Sequence, residues 1–184
     1  MLQPETFKRD AHGDDAMNDG ITQTALPAGI TLRAATAADI PAMVSLVNAA
    51  FEQEAFFVNR PRTHAQQLEE HFRGGSFLLA HQGARLVASV YYELRGQRGY
   101  IGMLAVCAEC QRQGLGRAMM RAAEQVLRVA GCEVAELSVV DVRTLPRAIY
   151  GKLGYREAGL AEVPEELRQK LTMPIQLIKM EKQL

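Results

Sequence analysis

The chain has 184 residues, of which 48% are hydrophobic and 23% are charged, with 21 basic residues against 21 acidic ones. This length suits one domain and the composition is that of a globular protein, which excludes a multidomain machine, a wholly disordered chain and a fibrous repeat. The net charge of zero gives no general attraction to nucleic acid or to an anionic membrane, so neither is expected as a partner.

The first 28 residues differ in character from the rest. They contain two basic residues against five acidic ones, and their apolar residues follow no helical or strand period. Residues 1–28 are therefore predicted to form a flexible acidic extension ahead of one domain at 29–184. The lack of a signal-peptide core and an odd number of cysteines (Cys107, Cys110 and Cys132) predict a cytoplasmic protein with reduced thiols.

Two helices are predicted after a short strand at residues 30–33. Asp39 is a suitable N-cap for the first helix, whose apolar residues recur with a helical period as far as Phe51. Thr63 and Gln66 form a capping-box pair ahead of the second helix, and two consecutive glycines at 74 and 75 end it. Each helix is expected to bury one apolar face.

The rest of the chain predicts an α/β fold with a mixed, mostly antiparallel sheet of about 6–7 strands flanked by helices. Alternating apolar residues between glycine-containing turns indicate three antiparallel strands, at 76–80, 85–94 and 100–106. A long helix separates the last of these from a strand at 133–140, which implies a parallel pair with a right-handed crossover. A helix from Pro146 and strands near 155–158 and 175–181 complete the pattern.

The segment before the long helix has the chemistry of an anion site. It consists of Gln111, Arg112, Gln113, Gly114, Leu115, Gly116 and Arg117. The glycines let backbone N–H groups turn toward one point, and the free donors of a helix start add positive charge to that of the arginines. A phosphate or pyrophosphate would fit. The alternative is a tight strand-to-helix turn without a ligand.

Two common nucleotide motifs do not match this segment. A dinucleotide fingerprint needs a small residue where Met119 stands, and a Walker loop needs Gly-Lys-Ser/Thr.

The helix that follows is predicted to bury a stripe that includes Met119, Val126 and Ala130. Its exposed face is expected to carry Arg117, Arg121, Glu124 and Arg128. This local positive charge suits a small polyanion and is too confined to indicate nucleic acid.

Residues 30–184 resemble the GNAT superfamily of acyl-CoA-dependent N-acetyltransferases, and in particular a bacterial branch of it. The pyrophosphate signature of that family, Gln/Arg-x-x-Gly-x-Gly/Ala, is matched by Gln111, Gly114 and Gly116 directly after a strand. Its second signature, a helix ending in tyrosine and then a loop with glycine and an aromatic residue, is matched by residues 149–155. The two signatures occur in the order that the family requires.

The resemblance implies a single GNAT-like domain in which strands 100–106 and 133–140 are parallel and splayed. It implies acetyl-CoA as the co-substrate, with its pantetheine arm along the backbone of Leu104, Ala105 and Val106 and its pyrophosphate on the N–H groups of residues 112–117. The implied reaction is direct acetyl transfer to a primary amine of a small molecule or peptide. The enzyme is expected to be a monomer or a homodimer.

The resemblance also implies roles for individual side chains. Tyr150 matches the usual general acid of the family, and a phenol of ordinary pKa is protonated at neutral pH and can donate to a leaving thiolate; the alternative is an aromatic packing residue. Glu93, near the end of the neighbouring strand, is the best candidate for a general base acting through a water. Arg143 stands where the family often has asparagine, and either holds a substrate carboxylate or is a solvated loop cation.

Two further functions stay open at the level of the sequence. One is a non-catalytic acyl-CoA-binding or sensor domain, and the other is a transferase that uses a different acyl-CoA, since the loop motif contacts CoA and not the acyl chain. The spacing Cys107-x-x-Cys110 also occurs in zinc and redox sites. With one further cysteine and no matching histidine pair in the sequence, no metal is expected.

Overall fold

The computed structural model describes residues 25–52, 57–59, 61–141 and 144–184. Most of the predicted extension at 1–28 lies outside these ranges, so the domain boundary at residue 29 stays a prediction. Arg143, the candidate substrate contact, also lies outside the described residues. Within the described ranges, no helix has both the length and the apolar character needed to cross a bilayer.

One mixed sheet forms the centre of the domain. Its strands are β1 (Ile30–Ala34), β2 (Ser76–Gln82), β3 (Arg85–Arg95), β4 (Arg98–Val106), β5 (Val134–Val140), β6 (Arg156–Ala161) and β7 (Leu177–Gln183). They are arranged in the order β1-β2-β3-β4-β5-β7-β6. Strands β4 and β5 are parallel, and the other neighbouring pairs are antiparallel. This confirms the predicted mixed, mostly antiparallel sheet and its parallel pair.

Helices cover both faces of the sheet. They are α1 (Ile40–Ala50), α2 (Ala65–Gly74), α3 (Leu115–Val129), α4 (Thr144–Lys152) and α5 (Glu165–Arg168). Successive side chains of a strand point to opposite faces, so Phe77 and Leu78 of β2 belong to different layers. Phe77 shares a buried cluster with Met43 of α1 and Leu68 of α2. Leu78 belongs to a larger cluster that includes Met119 of α3.

The start of α2 differs from the predicted capping box. The N-cap is His64 rather than Thr63, and its ring nitrogen Nδ1 accepts a hydrogen bond from the N–H of Gln67 at 3.4 Å. Thr63 is instead held by Asn48 of α1, whose Oδ1 accepts from the Thr63 N–H and whose Nδ2 donates to the Thr63 carbonyl, both at 3.0 Å. A tertiary contact therefore replaces the local pair that the pattern predicts.

Asp39 precedes α1 as predicted, but its carboxylate does not cap that helix. It turns back and accepts hydrogen bonds from the N–H of Thr36 and from Nη1 of Arg33, both at 2.8 Å. The Arg33 guanidinium is the main cause of a pKa for Asp39 well below its usual range. The residue thus ties β1 to the short 3-10 helix Ala37–Asp39.

Helix α3 is amphipathic as predicted, except at two positions. Ala130 lies just beyond its end and is exposed. Glu124, expected on the exposed face, is 4% exposed. Its carboxylate accepts hydrogen bonds from the hydroxyl of Tyr155 at 3.0 Å and from Nζ of Lys182 at 2.6 Å. A buried carboxylate needs such partners, and these come from parts of the chain that the helical period does not include.

Gly75 allows α2 to end close against β3. A Cβ atom there would overlap the carbonyl oxygen of Tyr92 and lie 2.6 Å from the hydroxyl oxygen of Tyr91. We expect Gly75→Ala to lower the free energy of unfolding by about 1–3 kcal/mol, because the β3 backbone has to move. Denaturant unfolding measures this change.

Gly74→Ala is the matched control for this prediction. A Cβ atom at Gly74 would be 3.4 Å from the hydroxyl oxygen of Tyr91, which is ordinary contact. We expect a change of less than about 1 kcal/mol, within the range of helix propensity. Equal losses of stability in the two variants would contradict the close approach at Gly75.

Candidate active site

The parallel strands β4 and β5 are paired at one end only. Their paired positions run from Arg98 opposite Val134 to Tyr100 opposite Glu136, three pairs in all. Strand β4 nevertheless continues to Val106, and β5 continues alongside β7 to its end. The two strands therefore separate beyond Tyr100, which confirms the predicted splay and leaves an opening with the β4 backbone along one side.

A β-bulge in β4 lies beside this opening. Ser89 of β3 pairs with Ala105 and Tyr91 pairs with Gly102, so two residues of β4, Met103 and Leu104, are opposite one residue of β3. Met103 has a φ of 46°, in the left-handed region that residues other than glycine seldom adopt. A bulge leaves its extra residue out of the ladder and redirects the local backbone groups.

The predicted anion loop leads from β4 into α3. Arg112 and Gly114 both have a positive φ, of 59° and 85°, and Gly114 is the N-cap of α3 with no side chain capping it. The N–H of Ala118 donates to the carbonyl of Gly114 at 3.0 Å. The N–H groups of residues 115–117 precede this bond and have no partner within the helix. The start of α3 can therefore bind an anion.

The other side chains of the loop fix its shape. Nε2 of Gln111 donates to the carbonyl of Val106 at 3.1 Å, and Nε2 of Gln113 donates to the carbonyl of Glu109 at 2.8 Å. Leu115 is 2% exposed and anchors the loop in the larger core cluster. The arginines at 112 and 117 are exposed. The glutamines thus support the loop through their side chains, and the two arginine side chains lie on its surface.

The loop lies next to β4 at Gly116. A Cβ atom at Gly116 would lie 3.8 Å from the side chain of Leu104 and 3.7 Å from that of Val106. Ala105, between them, is 1% exposed and packs in the larger core cluster. The structure therefore places the predicted strand residues and the predicted loop residues next to each other.

Tyr150 lies in the last turn of α4, on the α3 side of the sheet. It is half-buried and packs against the larger core cluster, the one that contains Met119. Its ring makes an edge contact with the ring of Tyr155, with centroids 6.0 Å apart. Its carbonyl accepts hydrogen bonds from the N–H groups of Leu153 at 2.9 Å and of Tyr155 at 3.1 Å.

Glu93 lies on the opposite face, which α1 and α2 cover. Its carboxylate accepts hydrogen bonds from Nε of Arg95 at 3.0 Å, from Nη2 of Arg95 at 2.8 Å and from the hydroxyl of Tyr91 at 3.3 Å. The hydrogen bonds from Arg95 are the main cause of a pKa for Glu93 below its usual value. Burial, with the nearby charge of Glu93, raises the pKa of Tyr91. At neutral pH Glu93 is therefore a carboxylate held by three hydrogen bonds from two residues.

Tyr100 borders the opening between β4 and β5, although the sequence analysis did not single it out. It occupies the last position of β4 that pairs with β5, and its ring lies over Gly102, where a Cβ atom would be 2.8 Å from the ring and 3.1 Å from its hydroxyl oxygen. The guanidinium of Arg95 stacks on the ring at 4.6 Å from its centroid. Burial raises the pKa of Tyr100, against the opposing effect of Arg95. The available signal was Tyr-x-Gly within a strand, since glycine leaves room for the ring.

The three cysteines are free thiols. Burial is the main cause that raises the pKa of Cys107 to about 11, so this residue is a thiol rather than a thiolate at neutral pH. In the part of the chain that the structure describes, no three His, Cys, Asp or Glu side chains are grouped so as to hold a metal ion.

The chain is similar to known proteins in both sequence and fold. Residues 41–155 match the model of the acetyltransferase (GNAT) family. No curated protein matches the chain. Among solved structures with a similar fold is the ribosomal-protein-S18-alanine N-acetyltransferase from Escherichia coli, 18% identical, with a TM-score of 0.66 over 84% of this chain and 93% of that one.

Two more structures illustrate the same fold. The ribosomal-protein-alanine N-acetyltransferase from Brucella melitensis is 22% identical, with a TM-score of 0.66 over 84% of this chain and 99% of that one. The PaiA N-acetyltransferase from Thermoplasma acidophilum, solved in complex with coenzyme A, is 14% identical, with a TM-score of 0.62 over 84% of this chain and 99% of that one. At these identities the likeness extends to the fold alone.

Arg112→Gln together with Arg117→Gln tests whether the start of α3 binds coenzyme A. Both arginines are exposed, so we expect each substitution to change the free energy of unfolding of the unliganded protein by less than about 0.5 kcal/mol. The affinity for coenzyme A should fall about tenfold, because two positive charges that suit its phosphates are removed from the loop and from the first turn of the helix. Titration calorimetry measures this affinity.

Arg128→Gln is the control for this double variant, because it removes a charge from the last turn of α3 and leaves the first turn intact. Its affinity for coenzyme A should equal that of the unaltered protein. An unchanged affinity in the double variant would contradict the assignment of the anion site.

Proposed function

The chain belongs to the GNAT family of acetyltransferases, and from this premise we propose that it transfers the acetyl group of acetyl-CoA directly to a primary amine of a small molecule or peptide. The observation that carries the proposal is the opening between β4 and β5 directly beside the uncapped start of α3. It offers an extended backbone edge and an anion site in succession, which are the two features that a CoA thioester requires.

The residues present fit acetyl-CoA. The N–H groups of residues 115–117, with the charges of Arg112 and Arg117, suit its pyrophosphate. The backbone of residues 104–106 suits its amide-containing arm, which can bind as an added strand does. When bound, acetyl-CoA supplies an activated thioester carbonyl. A net positive α3 segment further favours a polyanionic ligand.

The proposed acid and the proposed base lie on opposite faces of the sheet. Tyr150 lies on the α3 side, whereas Tyr91 and Glu93 lie on the α1 and α2 side. The opening between β4 and β5 joins the two sides. An amine that approaches from the α1 and α2 side would meet one face of the thioester carbonyl, and Tyr150 would meet the sulfur from the α3 side. This two-sided arrangement supports direct transfer without an acyl-enzyme.

The proposed reaction uses side chains and backbone of the chain in separate roles. The amine nitrogen forms a bond to the carbonyl carbon, the carbon–sulfur bond breaks, and its electron pair passes to sulfur. Backbone N–H groups at the Met103 bulge stabilise the carbonyl oxygen as it gains negative charge. The Tyr150 hydroxyl donates its proton to sulfur and is reprotonated from water. The proton lost by the amine passes through water to the Glu93 carboxylate.

The cellular setting is also part of this proposal. Three cysteines that are all free thiols support a reducing compartment, and we place the enzyme in the cytoplasm as a monomer or a homodimer.

The side of the opening from which the amine would approach carries the aromatic ring of Tyr100. This ring lies next to the paired charges of Glu93 and Arg95.

The proposal is tested by measuring thiol release from acetyl-CoA with a panel of amines. The panel comprises spermidine, glycine, phosphinothricin and a peptide that begins with alanine, and mass spectrometry identifies the product. We expect one amine to accelerate thiol release and to gain one acetyl group for each thiol formed. Succinyl-CoA and longer acyl-CoAs are run in parallel to test the acyl group. Binding of acetyl-CoA without any acetylated amine would contradict the proposal.

Tyr150→Phe tests the general acid. Loss of the hydroxyl should lower kcat about 10²–10⁴-fold, since the leaving thiolate loses its proton donor. The KM for acetyl-CoA should change little, because the anion site and the β4 edge are intact. Tyr92→Phe, which removes a hydroxyl from a buried tyrosine of β3, is the control and should keep its kcat. A kcat for Tyr150→Phe equal to that of the control would exclude the assigned role.

Glu93→Gln tests the general base. The pKa of Glu93 is lowered, so the carboxylate stays ionised through neutral pH and its own titration does not produce a limb of the pH profile there. We expect kcat/KM to fall about a hundredfold at every pH between roughly 6 and 9, without a shift of the limbs. Glu70→Gln, an exposed change on α2, is the control. Equal kcat/KM values in the two variants would remove Glu93 from the mechanism.

A further inference from the structure

A buried polar cluster joins three elements behind the candidate acid. It consists of Glu124 on α3, Tyr155 after α4 and Lys182 on β7, and we call it the Glu124 cluster. We propose that the Glu124 cluster is a positioning device that holds the Tyr150 hydroxyl where the leaving sulfur can receive its proton. The inference rests on the proposed role of Tyr150 as the acid.

Both carboxylate oxygens of the Glu124 cluster have their own donor. The Tyr155 hydroxyl donates to Oε1 of Glu124 at 3.0 Å, and Nζ of Lys182 donates to Oε2 at 2.6 Å. The same ammonium lies 5.6 Å from the centroid of the Tyr155 ring. Glu124 is 4% exposed and Tyr155 is 3% exposed. In this setting the hydrogen bonds are directional and strong, and they fix the direction of the Tyr155 ring.

The Tyr155 ring in turn contacts Tyr150 directly. The two rings meet edge to face with centroids 6.0 Å apart, and the Tyr155 N–H donates to the Tyr150 carbonyl at 3.1 Å. Gly154, with a φ of 93°, reverses the chain between them. Tyr155 is therefore held at its hydroxyl by Glu124 and touches Tyr150 through both its ring and its backbone.

The end of α4 that carries Tyr150 is largely exposed. None of residues 147–152 is buried, Ile149 is 50% exposed, and nothing lies within 4 Å of a Cβ atom placed on Gly151. Arg147 links the helix to Asp141 at 2.7 Å and to Glu157 at 2.8 Å, one turn from Tyr150. The contact with Tyr155 thus connects the Tyr150 ring to a side chain that is itself buried and hydrogen-bonded.

The buried carboxylate of Glu124 is better explained by a role in orienting Tyr155 than by a contribution to the stability of the fold. Replacing a buried charged group and its partners by apolar residues is often neutral or stabilising. Directional hydrogen bonds hold the Tyr155 ring in a single orientation, which apolar packing alone does not do. A misplacement of about 1 Å at a reacting group can cost about a hundredfold in rate.

A double-mutant cycle tests the inference. Tyr155→Phe and Lys182→Met each remove one donor from Glu124, and each is made in the unaltered protein and in Tyr150→Phe. Acetyl-CoA and the best amine of the panel serve as substrates. In the unaltered background we expect kcat to fall between about tenfold and a hundredfold, with the KM for acetyl-CoA and the affinity for coenzyme A nearly unchanged. In the Tyr150→Phe background we expect no further loss, because the hydroxyl that the cluster positions is already absent.

The outcomes separate this inference from the proposal on which it rests. Equal losses of kcat in both backgrounds, or no loss in either, would overturn the positioning role and leave Tyr150 as the acid. If Tyr150→Phe alone keeps full kcat, the acid assignment fails and the inference fails with it. Tyr92→Phe, run beside the others, reports what the loss of a buried tyrosine hydroxyl does elsewhere in the same core cluster.

Discussion

Strands β4 and β5 share three paired positions and then separate, because each is held by a different neighbour. β5 is paired with β7 at all seven of its positions, and β4 follows β3 through a bulge at Met103. Beyond Tyr100 the β4 backbone therefore has an edge that β5 does not use, and unpaired backbone groups favour any ligand that can pair with them. The loop into α3 starts where this edge ends, so the anion site and the strand edge form one continuous surface.

Charged groups on both sides of the opening are held in place by their neighbours. On one face Arg95 and Tyr91 fix the Glu93 carboxylate, and the Arg95 guanidinium also stacks on Tyr100. On the other face Glu124 fixes the aromatic residue that contacts Tyr150. A transfer reaction needs its acid and base in place before the substrate arrives, since their reorganisation would otherwise add to the barrier. In the proposed mechanism these two clusters supply that preorganisation from opposite faces of the sheet.

Features that depend on local pattern could be predicted from the sequence, and features that depend on distant partners could not. Alternation and turn glycines indicate the strands, the strand–helix–strand unit indicates the parallel pair, and the glycine at 114 indicates a helix start with positive φ. Glu124 could not be placed, because its partners are 31 and 58 residues away in the chain. The prediction that Thr63 caps α2 was wrong for the same reason. Thr63 is held instead by Asn48, which is distant in the chain.

Hydrogen–deuterium exchange with and without coenzyme A tests the central claim most directly, because it measures the backbone N–H groups themselves. The account predicts that saturating coenzyme A slows exchange in two segments, 104–106 on β4 and 112–117 at the start of α3, and leaves the paired part of β5 and β7 unchanged. Protection confined to other segments, or none at saturation, would contradict it. In that case the opening between β4 and β5 would not be where this protein binds its donor.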